Sequence, residues 1–108
     1  MDERMIEQVL INLVKNSLDA VREKEEASIQ FFAEIRDHSK VIGVKDNGPG
    51  IPPDQLESIF IPFYSTKEGG TGIGLSFSQH IMRLHQGQLK VNTSPGHGSE
   101  FQLVFPLS

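Results

Sequence analysis

Apolar residues recur along residues 2–24 at Met5, Ile6, Val9, Leu10, Leu13, Val14, Leu18 and Val21, the spacing of an amphipathic helix. At about 100° per residue, Gln8, Asn12, Asn16 and Asp19 gather in a narrow polar stripe beside that arc. The charged run 23–26 ends the pattern as a solvated helix end. Residues 28–36 and 40–46 are then rich in β-branched and aromatic side chains, and Asp37, His38 and Ser39 separate them, which predicts a β-hairpin. Asn47-Gly48-Pro49-Gly50 breaks the second strand abruptly. Residues 53–59 suit a short helix with Pro53 in its first turn, and a loop rich in glycine and hydroxyls fills 65–72. Ile73, Phe77, Ile81 and Leu84 mark one face of a second long helix over 73–86, which Gly87 stops. Two last strands, 88–92 and 99–105, flank Ser94-Pro95-Gly96. Paired hairpins without parallel crossovers predict an α+β fold: a two-layer sandwich of a mixed, mostly antiparallel sheet with helices on one face.

Composition narrows this picture. At 108 residues the chain is one domain, and 37% apolar with 22% charged residues describes an ordinary globule. No apolar run approaches the ~18 residues of a membrane span, so no membrane contact by this domain is expected. The absence of cysteine excludes disulfides, thiolate metal sites and cysteine nucleophiles, and fits a reducing cytoplasm. A net charge of −4 argues against a nucleic-acid partner. Glycine is unevenly spread, with six of the ten lying between Gly48 and Gly74.

Four segments carry candidate chemistry. Asn12 and Asn16 are poor interior helix formers, yet their carboxamides share one helix face, where their oxygens could meet a hard cation such as Mg²⁺. Asp46, ahead of Asn47-Gly48-Pro49-Gly50, would hold a carboxylate at a strand end, ready to accept from a ligand amino group. The run Ser65-Thr66-Lys67-Glu68-Gly69-Gly70-Thr71-Gly72-Ile73-Gly74-Leu75 opens directly into a helix, where backbone amides, hydroxyls and Lys67 make a phosphate cradle. Its glycine spacing is not that of a dinucleotide fold, no strand precedes it, and no Gly-Lys pair exists for a P-loop. The fourth segment, Gly96-His97-Gly98-Ser99-Glu100-Phe101, is a glycine turn entering the last strand.

In this order and spacing the segments resemble the ATP-binding catalytic domain of sensor histidine kinases, within the superfamily shared with gyrase, heat-shock-90 and mismatch-repair ATPases. The resemblance covers residues 1–108 and is nearest to the nitrogen-regulator type. Residues 7–20 resemble the asparagine box, 46–51 the first glycine box, 59–63 the phenylalanine box, 70–75 the second glycine box and 96–101 the final one. The resemblance implies a Bergerat-type fold that binds ATP and Mg²⁺. Asn16 would ligate the metal, with Asn12 beside the phosphates. Asp46 would accept from the adenine amino group, Gly48 and Gly50 would line its pocket, and Ser99 would stand next to the ring. Lys67, Gly70, Gly72 and Gly74 would hold the phosphates, with Ile51, Thr71, Ile73 and Leu75 also in the nucleotide site. Asn12 and Lys67 are the catalytic candidates. Residues 52–70 would form a lid, anchored by Phe60 and Phe63.

Position 12 separates the branches. Gyrase-like ATPases carry a water-activating glutamate there, whereas a carboxamide cannot act as a general base, so transfer is favoured over hydrolysis. The acceptor would be a histidine on a phosphoacceptor domain of the same or another chain, with a response regulator as indirect partner, because His38, His80, His85 and His97 all lack an acceptor-helix setting. The alternative is an ATP-binding regulatory or docking module without activity of its own. In the family, strand material precedes the asparagine box. Here only a few residues do, so the N-terminal edge strand is expected to be absent, leaving four main strands and an open edge available for self-association.

Overall fold

The computed structural model describes residues 3–56, 58–61 and 74–107. The elements follow the predicted order: α1 (Glu3–Ala20), β1 (Ile29–Arg36), β2 (Ser39–Asp46), α2 (Pro53–Leu56), α3 (Gly74–Leu84), β3 (Gln88–Ser94) and β4 (Gly98–Pro106). The four strands form one sheet in the order β1-β2-β4-β3. All three pairings are antiparallel, including the non-sequential β2–β4 pair, so the parallel component allowed for in a mixed sheet does not occur among the described residues.

Two local devices shape the hairpin and the second helix. Arg36 pairs with Ser39 across Asp37 and His38, both of which have positive φ (50° and 63°). A two-residue turn with both residues left-handed matches the strand twist, and it lets β2 begin at Ser39. At the end of α3, Gly87 N–H bonds to Met82 O (2.8 Å) and Gln86 N–H to Arg83 O (3.1 Å). This is a Schellman closure, with Gln86 (φ 60°) in the left-handed position and Gly87 one residue beyond it.

Both long helices lie on one face of the sheet. α1 packs against β2 and α3, and α3 against β3. Ile6, Val9 and Leu13 of α1 and Ile81 and Met82 of α3 meet Val44, Leu89, Phe101, Leu103 and Phe105 of the sheet in one core. The buried line of α1 is Ile6, Val9, Leu13 and Ser17, with Leu18 exposed, so the arc is rotated from the one expected. The face of α3 is corrected more strongly. Phe77 (42% exposed) and Leu84 (60%) stand at its flank, while Ser78, Ile81 and Met82 are buried. Ser78 is small and polar, so an apolar count misses a position that meets Asn12 of α1.

Among the described residues β1 packs chiefly against β2, with neither long helix seated on it. Phe31 and Ile35, register partners of Val44 and Lys40 and hence on the helix-side face, are 63% and 74% exposed. The sheet has the four strands expected, and among the described residues the outer edge of β1 is open. No helix among them is long and apolar enough to cross a membrane.

Candidate functional site

The register of the sheet builds the first half of the site. Asp46, the last residue of β2, is opposite Ser99 of β4, and Ser99 is opposite Thr93 of β3. Directly opposed side chains share a face with Cβ atoms about 4.5–5.5 Å apart, so the three polar groups form one row beneath the helices. Asp46 is 3% exposed, and its Oδ1 accepts the N–H of Gly48 (2.9 Å). Its Oδ2 has no hydrogen-bond partner among the described residues, leaving one carboxylate oxygen for a donor from outside. Thr93 Oγ1 accepts from Ile51 N–H (2.8 Å) and donates to Gly98 O (3.1 Å). With its one proton so used, Thr93 Oγ1 accepts a hydrogen bond from Ser99 Oγ, 3.0 Å away. Ser99 therefore keeps lone pairs beside the free oxygen of Asp46, and the pair suits a ligand group rich in N–H.

The turn between β2 and α2 is stitched to this row. Pro49 O accepts Gly96 N–H at 2.7 Å. Asn47 clamps the entry to β1: its Oδ1 accepts Ser28 N–H (2.8 Å) and its Nδ2 donates to Glu26 O (2.8 Å). Gly48 and Gly50 also have a packing reason. A Cβ on Gly48 would stand 2.9 Å from Ala20 O at the end of α1. One on Gly50, where φ is +79°, would stand 2.6 Å from Ser94 O. Close approach of chain to chain therefore requires glycine at both positions.

The second half lies where α1 meets the start of α3. Asn12 Nδ2 donates toward Gly74 O (3.4 Å) and Ser78 Oγ (3.3 Å), a contact across 62 residues of sequence. Its Oδ1 faces Gln8 Nε2 at 3.4 Å. Asn16, one turn further on, is half-buried on the same stripe. Two carboxamides on one face fit a hard cation that keeps water and phosphate oxygens as its other ligands. No cluster of three histidine, aspartate or glutamate side chains able to cage a metal exists among the described residues.

Asn12, Asn16, Asp46, Gly48, Gly50, Ile51, Gly74, Leu75 and Ser99 all lie among the described residues. Ile51 and Leu75 pack against the core, as do Ile59 and Phe60 from the segment read as a lid. Lys67, Gly70, Thr71, Gly72 and Ile73 lie outside the described residues, as does Phe63. Sequence reasoning missed Thr93, Asn47 and Ser78. Thr93 was within reach, because closing the last hairpin around Pro95 and Gly96 sets it opposite Ser99. A cavity of about 300 Å³ at that hairpin is lined by Lys45, Asn92, His97 and Glu100, and it reaches the backbone of the site row at Thr93 and Ser99. Lys45, Glu100 and Asn92 are opposed across β2, β4 and β3, one residue out of step with the site row and so on the other face.

One helical layer over an antiparallel sheet, with acceptors at the strand ends and a carboxamide pair beside a glycine-fed helix start, is the architecture of a two-layer ATPase domain. A family model described as histidine kinase-, DNA gyrase B- and HSP90-like ATPase matches residues 1–108, and the chain belongs to that family. It is 44% identical over 106 residues to Sporulation kinase C of Bacillus subtilis (strain 168), covering 98% of this chain and 24% of that protein. It is 36% identical over 115 residues to the sensory histidine kinase/phosphatase NtrB of Salmonella typhimurium (strain LT2), covering 98% of this chain and 33% of NtrB. The chain thus spans a third or less of these relatives. Among solved structures, the catalytic domain of histidine kinase ThkA matches 97% of this chain and 68% of its own at 36% identity, with a TM-score of 0.83. The mycobacterial sensor histidine kinase MprB has the same fold at 21% identity, with a TM-score of 0.86 over 98% of this chain and 74% of its own.

Proposed function

We propose that this chain binds MgATP and donates the γ-phosphoryl group to a histidine on a separate dimerisation and phosphoacceptor domain, as the catalytic part of a cytoplasmic two-component sensor kinase. Asn12 carries the reading: a carboxamide, not a carboxylate, stands where α1 touches the first residue of α3. With no base at that point to activate water, the nucleophile must come from elsewhere. A ring nitrogen of the acceptor histidine attacks the γ-phosphorus, the bond to the bridging oxygen breaks, and ADP leaves with that electron pair. Asp46 Oδ2 and Ser99 Oγ accept from the adenine amino group. Asn16 holds Mg²⁺, which offsets phosphate charge, and Lys67 with the glycine loop at 70–74 holds the phosphates. A response regulator takes the phosphoryl group afterwards.

Calorimetry with MgATP and transfer of labelled γ-phosphate to an added acceptor domain test this. Binding with transfer is expected, and Asn16→Ala is expected to weaken binding in Mg²⁺ while leaving metal-free ATP unchanged. Absence of binding refutes the proposal, and binding without transfer leaves a nucleotide-binding docking module.

A further inference from the structure

Ser78 is fully buried on α3, on a face it shares with Ile81 and Met82. A hydroxyl in such a place costs desolvation unless it is bonded, and its bonds account for it. Ser78 Oγ donates to Gly74 O at 2.9 Å. A hydroxyl has one proton, so toward Asn12 it can only accept. Asn12 Nδ2 lies 3.3 Å from Ser78 Oγ and 3.4 Å from Gly74 O. Two acceptors therefore face one end of a carboxamide whose ends are nearly alike in shape, and such a network decides which end is nitrogen. The nitrogen turns to α3. The oxygen turns the other way, where Gln8 Nε2 approaches it at 3.4 Å on the exposed stripe of α1.

We propose that Ser78 is a positioning residue of the nucleotide site, fixing the Asn12 carboxamide with its oxygen toward the open side, so that Asn12 serves the metal side of MgATP and not the phosphate oxygens. This rests on the MgATP reading above. A carbonyl oxygen repels phosphate oxygens and attracts a cation or the hydrogens of its bound water. An amide nitrogen in the same place would do the reverse. Ser78 touches neither ligand and acts through Asn12.

Two measurements on the 108-residue chain test it. In the nucleotide-free protein, NMR cross-peaks from the Asn12 side-chain amide protons should be stronger to the Ser78 β-protons than to the Gln8 side chain; the reverse ranking overturns the orientation. In calorimetry, Ser78→Ala and Ser78→Cys should each weaken MgATP binding about 2- to 10-fold, the worth of one neutral hydrogen bond. Binding of metal-free ATP should stay within about twofold, since no metal then needs the oxygen. Adding Ser78→Ala to Asn12→Ala should cost nothing further, because the effect passes through Asn12. Alanine leaves a small gap and cysteine's larger sulfur overfills the same place, so agreement between two variants with opposite packing errors separates hydrogen bonding from packing. Equal losses with and without Mg²⁺ overturn the proposal, as does unchanged MgATP affinity in both variants. If the unsubstituted chain binds no ATP, the nucleotide reading falls with the metal-side role, and the amide cross-peaks then decide the positioning alone.

Discussion

Replacing Asp46 by asparagine should reverse the hydrogen-bonding sense of one edge of the site. Gly48 N–H is held by Asp46 Oδ1 at 2.9 Å. In Asp46→Asn that donor still needs an acceptor, so the carboxamide oxygen stays with Gly48 and the nitrogen takes the place of Oδ2. A donor then faces the adenine amino group, itself a donor. The loss is one hydrogen bond to a charged acceptor, about 1.5–3 kcal/mol, which lowers ATP affinity about 10- to 150-fold. A six-keto purine presents an acceptor at the same position, so inosine triphosphate should lose far less, and the ATP-to-ITP preference should fall or invert. Titration calorimetry of both nucleotides against both proteins reads this directly. The fold should survive, because the replacement is isosteric and removes a buried charge, and a thermal melt without nucleotide checks that. ATP affinity within twofold of the original in a folded Asp46→Asn protein, or an unmoved ATP-to-ITP ratio, would refute the assignment of Asp46 to the base.

Three further outcomes follow from named contacts. Asn47→Ala removes both side-chain bonds that tie the loop before β1 to the end of β2. They lie at the surface, so about 1–2 kcal/mol should be lost and Tm should drop by roughly 4–15 °C, with nucleotide affinity little changed if the chain stays folded. Gly98→Ala sets a Cβ at φ +104° against Asp46 O; a loss of about 2 kcal/mol or more is expected from strain and clash, and urea unfolding measures it. Asn12→Glu supplies the carboxylate that hydrolysis lacks. Steady phosphate release from the purified variant should exceed that of the unsubstituted chain, and no increase would show that a base at this point is insufficient.

Much of the fold was legible because it is written in local pattern. The 3.6-residue period of α1, the two β-rich runs around Asp37 and His38, and the glycine stops at 48 and 87 each act within a few residues of themselves. The asparagine pair, Asp46 and the glycine loop could be singled out for the same reason: residue types unsuited to their element stand out against it. Helix rotation is another matter. Phe77 and Leu84 share a stripe with Ile81, yet α3 buries Ser78, because a helix wedged between α1 and β3 turns the side that fits both.

Register and close approach belonged to the tertiary structure alone. Thr93 joins Asp46 and Ser99 only once β4 has paired with strands on both sides. Gly48 and Gly50 answer to Ala20 and Ser94, partners 28 and 44 positions away in sequence. The sequence by itself determined the elements, their order and the residue types available for chemistry, since these depend on short-range sterics and periodicity. Which end of Asn12 turns outward was decided only when Gly74 and Ser78, 62 and 66 positions away, came within 3.4 Å of its side chain.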